Sequence, residues 1–151
     1  MDGLGKFMND NKKYTPIVTF DFDDTLTETQ WDNNDECYKF VGPNKSTLAF
    51  LRKHLRDGDV VHIVTSRQGP EMDPDGRVNT GGQPSVAEFL LEHLVDSDRR
   101  KIAGVHYAPG PKTDILNELN SSKHYDDDSC VLEALPSSCV GVQVKTLHQL
   151  D

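Results

Sequence analysis

Ile17-Val18-Thr19-Phe20 is a short apolar, β-branched run that stops abruptly on the acidic segment Asp21-Phe22-Asp23-Asp24-Thr25. A run without polar alternation reads as a parallel strand buried on both faces, which commits the chain to a sheet with helices above and below it. Val60-Val61-His62-Ile63-Val64 repeats the pattern and ends in Thr65 and Ser66. Weaker runs follow at Ile102–Tyr107 and Cys139–Val144, with a very short one at Lys123–Tyr125 ahead of Asp126. Helical spacing fills the intervals. Leu48, Leu51 and Leu55 recur before Gly58, a C-terminal cap, and Val86, Phe89, Leu90 and Leu94 recur after Pro84, a first-turn residue. Ile115, Leu116 and Leu119 mark a third helix, and Cys130–Leu135 a short fourth stopped by Pro136. Strand alternating with helix predicts a three-layer, Rossmann-like α/β fold around a mainly parallel five-stranded sheet. Such sheets bind ligands at the carboxyl ends of their strands, so the residues after each strand matter most.

The chain's 151 residues suit one domain, read here as 16–151 behind a loose leader at 1–15 that is rich in Asn, Lys and Gly. No stretch approaches the roughly 20 apolar residues of a membrane span, and Met1–Lys13 has no apolar signal region. The three cysteines show no CxxC spacing, which excludes a disulfide framework and a zinc site. These features predict a cytoplasmic protein with no membrane partner. A net charge of −9, from 25 acidic and 16 basic residues, excludes a protein that coats nucleic acid broadly. Two stretches stand apart. Thr27–Asn44 is polar with Trp31, Tyr38 and Phe40 interspersed and reads as a hairpin or flap, while Gln68–Gln83 is too long for a routine connection.

Asp21 and Asp23 can converge if the chain curls just past the strand, gathering both carboxylates and the amides between them, that of Phe22 included, around one point. Two close carboxylates cannot both stay charged without a cation or a retained proton. One can then act as nucleophile or metal ligand and the other as general acid and base. The alternative is a solvated acidic turn.

An apolar strand followed by DxDxT resembles the first motif of the haloacid dehalogenase superfamily of phosphohydrolases. Ile63-Val64-Thr65 resembles its second motif, Lys112 in Gly110-Pro111-Lys112-Thr113-Asp114 its lysine motif, and His124-Tyr125-Asp126-Asp127-Asp128 its acidic fourth motif. The four occur in the family's order, from Ile17 to about Leu135. The resemblance implies that Asp21 attacks phosphorus to form an aspartyl-phosphate. Asp23 then protonates the leaving oxygen and later activates water. Thr65 binds a phosphoryl oxygen, joined in phosphate binding by Phe22, Ser66 and Arg67, and Lys112 neutralises charge. Mg²⁺ is expected on the Asp21 carboxylate, the Asp23 backbone carbonyl, Asp126 and Asp127, with Asp128 as a helix cap. Asp24 stands where many relatives carry Gly.

The intervals from Asp21 to Thr65 (44 positions) and from Thr65 to Lys112 (47) leave no room for a full cap domain. An open site suits a nucleotide or the 3′-phosphate end of a nucleic acid. The capless phosphatase half of phage polynucleotide kinase-phosphatases is similar in size and motif layout, and small phage-borne proteins of the HYDDD type look similar, so a phage origin would place the chain in the host cytoplasm. A phosphoprotein or sugar-phosphate phosphatase, or a non-catalytic binding module on the same fold, are the alternatives. His62 and His124 read as structural histidines, Asp73-Pro74-Asp75-Gly76 as a turn, Arg99-Arg100-Lys101 as a solvated corner, and the cysteines as inert. Asp21, Asp23, Asp24, Asp126, Asp127 and Asp128 carry two thirds of the formal −9, so the acidity is mostly a statement about a metal.

Overall fold

The computed structural model describes residues 15–78 and 82–146. The leader expected at 1–15 lies, apart from Thr15, outside the described residues, as do 79–81 of the long connection and the last five residues. Five parallel strands form the sheet in the order β5-β4-β1-β6-β7, where β1 is Ile17–Phe20, β4 Val60–Thr65, β5 Ile102–Tyr107, β6 Lys123–Asp126 and β7 Val140–Gln143. The chain runs outward from central β1 through β4 to β5, then crosses back to β6 and β7 on the other side. That reversal opens a crevice at the carboxyl end of β1, the place where doubly wound sheets hold ligands.

Register decides what each face buries. Val18 lies opposite Val61 and Phe20 opposite Ile63, while Thr19 lies opposite His62 and His124. The first face is apolar and packs against α1 (Lys45–Arg56) and α2 (Val86–His93) through Leu48, Leu51, Leu55, Phe89 and Leu90. Asn44 caps α1 by accepting from Thr47 N, and Gly58 takes the left-handed conformation (φ +85°) just past its end, as expected. Residues Asp96–Arg99 form a one-turn helix, α3, where only a basic corner was expected, because four residues are too few to show periodicity. The second face is more polar, carrying Thr19, His62 and His124. Here α4 (Thr113–Glu118) buries Leu116, and α5 (Ser129–Glu133) sits close on β7. Gly141 permits that approach: a Cβ there would lie 2.8 Å from Leu135 Cδ1 and 2.9 Å from Leu132 Cδ2.

The stretch expected as a flap is an antiparallel hairpin, β2 (Thr27–Asp32) and β3 (Cys37–Pro43). Fully buried Leu26 and the Phe40–Phe89 contact (ring centroids 6.4 Å apart) anchor its base, and Trp31 and Tyr38 are cross-strand partners near its tip. Among the described residues, no closed cap domain covers the sheet. Several boundaries differ from expectation: β7 loses a residue at each end, β6 gains Asp126, α5 runs Ser129–Glu133 rather than Cys130–Leu135, and α2 starts after Ser85, whose Oγ accepts from Glu88 N, rather than at Pro84.

Candidate active site

Asp21 follows β1 directly, and its N–H donates to the Tyr125 carbonyl (2.9 Å) as if the β1–β6 ladder continued one residue further. The chain then turns sharply. The Phe22 carbonyl accepts from the N–H groups of Thr25, Leu26 and Thr27, and Asp24 adopts a left-handed φ of +58°. Asp is among the residues that tolerate this conformation, which glycine adopts at no cost. The Asp24 carboxylate accepts from Thr29 Oγ1 at 2.6 Å, so it braces the hairpin rather than merely solvating the turn.

The curl places Asp21 among Lys112, Asp126 and Asp127, whereas the Asp23 carboxylate, expected at the same point, is held by Arg67. Lys112 Nζ donates to Asp21 Oδ1 (2.8 Å) and to Asp126 Oδ2 (3.0 Å), and all three side chains are buried. Asp21, Asp126 and Asp127 each offer an oxygen within 4.8 Å of the others. Three hard oxygen donors at a strand-end crevice, with one lysine providing partial compensation, suit a divalent cation such as Mg²⁺. Burial pushes the Asp21 carboxyl above the usual carboxylate range; the Lys112 charge opposes the rise and Asp126 adds to it. Burial would also raise Asp126, but the His124 hydrogen bond and the Lys112 charge outweigh it and hold that carboxyl at about 2. Burial likewise opposes the Lys112 charge, yet the two carboxylates win and raise its pKa. Lysine and Asp126 are thus held in their charged forms, and the buried Asp21 is the group that a cation would relieve most.

A cavity of about 230 Å³ opens over this cluster, lined by Asp21, Asp23, Ser66, Lys112, Asp126 and Asp127 among others. Asp23 faces it from the turn, with its carboxylate held by Arg67 through Nε (2.9 Å to Oδ2) and Nη2 (2.8 Å to Oδ1). Arg67 is therefore engaged with Asp23, and its Nη1 with the carbonyls of Met72 and Pro84. Thr65 is fully buried, and its Oγ1 accepts from Arg67 N (3.2 Å), while exposed Ser66 lines the cavity. The Phe22 ring is buried edge-on against Phe89, so only its backbone is left for a phosphoryl oxygen. Asp128 caps α5 by accepting from Cys130 N (2.8 Å), as expected.

The sequence assigned no separate role to Thr25 or Thr19 and read His124 as structural, yet all three support the acids. Thr25 Oγ1 donates to Asp21 Oδ2 (2.9 Å) and reaches Asp127 Oδ1 (3.3 Å), tying the first acidic motif to the last. His124 bridges Asp126 Oδ2 (2.8 Å) and Thr19 Oγ1 (2.7 Å), and a second hydrogen bond joins Thr19 to Ser121 (2.8 Å). The i, i+2 spacing of His124 and Asp126 on one strand was the available signal, since alternate residues share a face.

No family model matches the chain, and no curated protein matches it significantly. Solved structures do. One similar structure is a hypothetical protein of Xanthomonas campestris, at 16% identity over 87% of this chain and 66% of that one, with a TM-score of 0.46. A second is a candidate 3-deoxy-D-manno-octulosonate 8-phosphate phosphatase of Vibrio cholerae, at 13% identity over 86% of this chain and 68% of that one, with a TM-score of 0.44. The chain thus spans about two thirds of each. The case for the site rests on its own residues.

Proposed function

We propose that the protein is a Mg²⁺-dependent phosphomonoester hydrolase that works through an aspartyl-phosphate on Asp21. The observation that carries this reading is the convergence of Asp21, Lys112, Asp126 and Asp127 on one point, with Asp23 on the rim of the same cavity. An Asp21 carboxylate oxygen attacks phosphorus as the bond to the leaving oxygen breaks, and Asp23, which must first turn from Arg67 into the cavity and take up a proton, delivers that proton to the leaving oxygen. Asp23, now ionised, takes a proton from water as the water oxygen attacks the same phosphorus. The Asp21–phosphorus bond breaks, and inorganic phosphate leaves. Lys112 offsets the charge of nucleophile and phosphoryl group, the Ser66 and Thr65 region and the turn amides receive phosphoryl oxygens, and Thr25 and His124 fix the orientation of the carboxylates. Mg²⁺ held by Asp21, Asp126, Asp127 and the Asp23 carbonyl would supply positive charge to the phosphoryl oxygens.

The site has no closed cap, so the leaving group can be larger than a simple sugar. A nucleotide or the phosphorylated end of a nucleic acid is the substrate class that this openness favours. Hydrolysis of para-nitrophenyl phosphate with and without Mg²⁺, by the wild type and by Asp21→Asn, tests the chemistry. Activity that requires Mg²⁺ and vanishes in Asp21→Asn is expected, and turnover that survives the substitution would refute the mechanism.

A further inference from the structure

Beside the catalytic cavity lies a larger one, of about 670 Å³, between the β2–β3 hairpin and Pro74, Asp75, Arg77 and Gln83. The two cavities share Asp23 and Pro74, so a group leaving phosphorus past Asp23 enters the second directly. Its hairpin wall carries Trp31 and Tyr38, whose rings meet edge to face at 5.1 Å and 71°. Both are open to solvent, at 47% and 54% exposure. Gln83 Nε2 donates to the Tyr38 carbonyl (3.3 Å) and joins the opposite wall to the hairpin. Charge completes the description. Asp23, Asp24, Asp35, Glu36 and Asp75 line the cavity, and Arg77 is the one basic side chain among its described lining residues. Lys39 pairs with Asp35 and Asp32 and Arg67 with Asp23, which still leaves Asp24, Glu36 and Asp75 against Arg77.

Resting on the phosphatase reading above, we propose that this cleft is the leaving-group pocket, and that it takes a single amino-bearing nucleobase of a mononucleotide rather than a continuing strand. An exposed indole and phenol offer a stacking platform that any planar base can use. Carboxylates at its edge accept hydrogen bonds from the exocyclic amino groups of adenine, guanine or cytosine. A second phosphate, by contrast, would enter a field of carboxylates with no basic track to receive it, whereas strand binding depends on Lys and Arg neutralising successive phosphates.

The test compares kcat/KM in Mg²⁺ for adenosine 5′-monophosphate against ribose 5-phosphate, and for deoxyadenosine 3′-monophosphate against an oligodeoxyadenylate with the same terminal phosphate. Each nucleoside monophosphate is expected to exceed its comparison by about tenfold, over ribose 5-phosphate through one base–aromatic stack and over the oligonucleotide through the repulsion of its further phosphates by the carboxylates. Trp31→Ala should erase the preference over ribose 5-phosphate, mainly through KM, and Trp31→Phe should retain most of it. Glu36→Gln with Asp75→Asn provides an independent arm in case Trp31→Ala fails to fold: at low salt it should narrow the gap between oligonucleotide and mononucleotide. Equal rates for ribose 5-phosphate, a preference for the oligonucleotide, or a preference untouched by Trp31→Ala would overturn the proposal. Hydrolysis without selectivity refutes the pocket alone; a folded protein that hydrolyses none of these esters refutes the phosphatase reading itself.

Discussion

Arg67 holds Asp23 in a two-pronged ion pair, with Nε and Nη2 each within 2.9 Å of a carboxylate oxygen, and its guanidinium lies 5.0 Å above the Phe22 ring. The remaining nitrogen donates to the Met72 and Pro84 carbonyls, near both ends of the long connection between β4 and α2. One buried side chain thus fixes the proposed acid and the segment that walls the second cavity. Arg67→Ala is expected to lower kcat about 100-fold, within the usual range for positioned acid–base groups. Arg67→Lys should recover little, because an ammonium cannot reproduce the planar fork. Steady-state kinetics of the two variants check this, and wild-type kcat in Arg67→Ala would contradict it.

Among the described residues, Lys112 is the one side chain that bridges the buried Asp21 and Asp126 carboxylates, while His124 meets Asp126 alone. Lys112→Met leaves two buried carboxylates facing each other without that charge, and removing one partner of a buried pair costs about 3 kcal/mol or more. Urea denaturation should show the loss. Because a divalent cation would then have more charge to offset, Mg²⁺ should raise the Tm of Lys112→Met further than that of the wild type. An equal Mg²⁺ effect on both proteins would separate the lysine from the metal site.

The fold and the strand-end acids were legible because each is written in a few consecutive residues. Ile17–Phe20 ends on Asp21 and Lys123–Tyr125 on Asp126, and burial of a short apolar strand makes its first polar residue the rim of the sheet. Weak β7 was legible only approximately, since it is an edge strand with three of four residues exposed and little hydrophobic pattern to mark its ends. Lys112 was legible as a partner of these acids, but the bonds that Arg67 and Thr25 make to them were not. Arg67 sits 44 positions from Asp23, and nothing local distinguishes an arginine that reaches substrate from one that reaches a carboxylate. Thr25 stood inside the first motif, yet its bond to Asp127 exists only because β1 and β6 are neighbours.

His62 and His106 share the second sheet face on adjacent strands, with Nδ1 of one 2.9 Å from Nε2 of the other. Burial, aided by the charge of His106, lowers the His62 pKa below its usual 6.5. The folded state therefore binds a proton at His62 less readily than the unfolded chain does. Stability from this source is full above about pH 6.5 and declines as pH falls through and below that value. Thermal melts at pH 7.5 and pH 5.5 should show a loss on acidification that is smaller in His62→Gln. An identical pH response in the variant would contradict the assignment.

Gly141 is expected to be intolerant of even a methyl group, although its φ imposes no strain, because Leu132 and Leu135 occupy the space. Gly141→Ala should cost on the order of 1 kcal/mol as the leucine tips shift. Leu132→Ala in the same chain should lower the cost of Gly141→Ala without abolishing it, since Leu135 stays in place, a coupling that a double-mutant cycle of denaturation free energies reads directly.

Direct capture of the covalent intermediate tests the central claim. In Asp23→Asn the water-activating carboxylate is gone, while para-nitrophenyl phosphate, whose leaving group needs no proton, can still transfer its phosphoryl group. Rapid acid quench of this variant with that substrate and Mg²⁺, followed by peptide mass spectrometry, should find one phosphoryl group on Asp21 and none in Asp21→Asn. Turnover of the ester by the wild type with no phosphoryl group on Asp21 at any quench time, or with the group on another residue, would contradict the account.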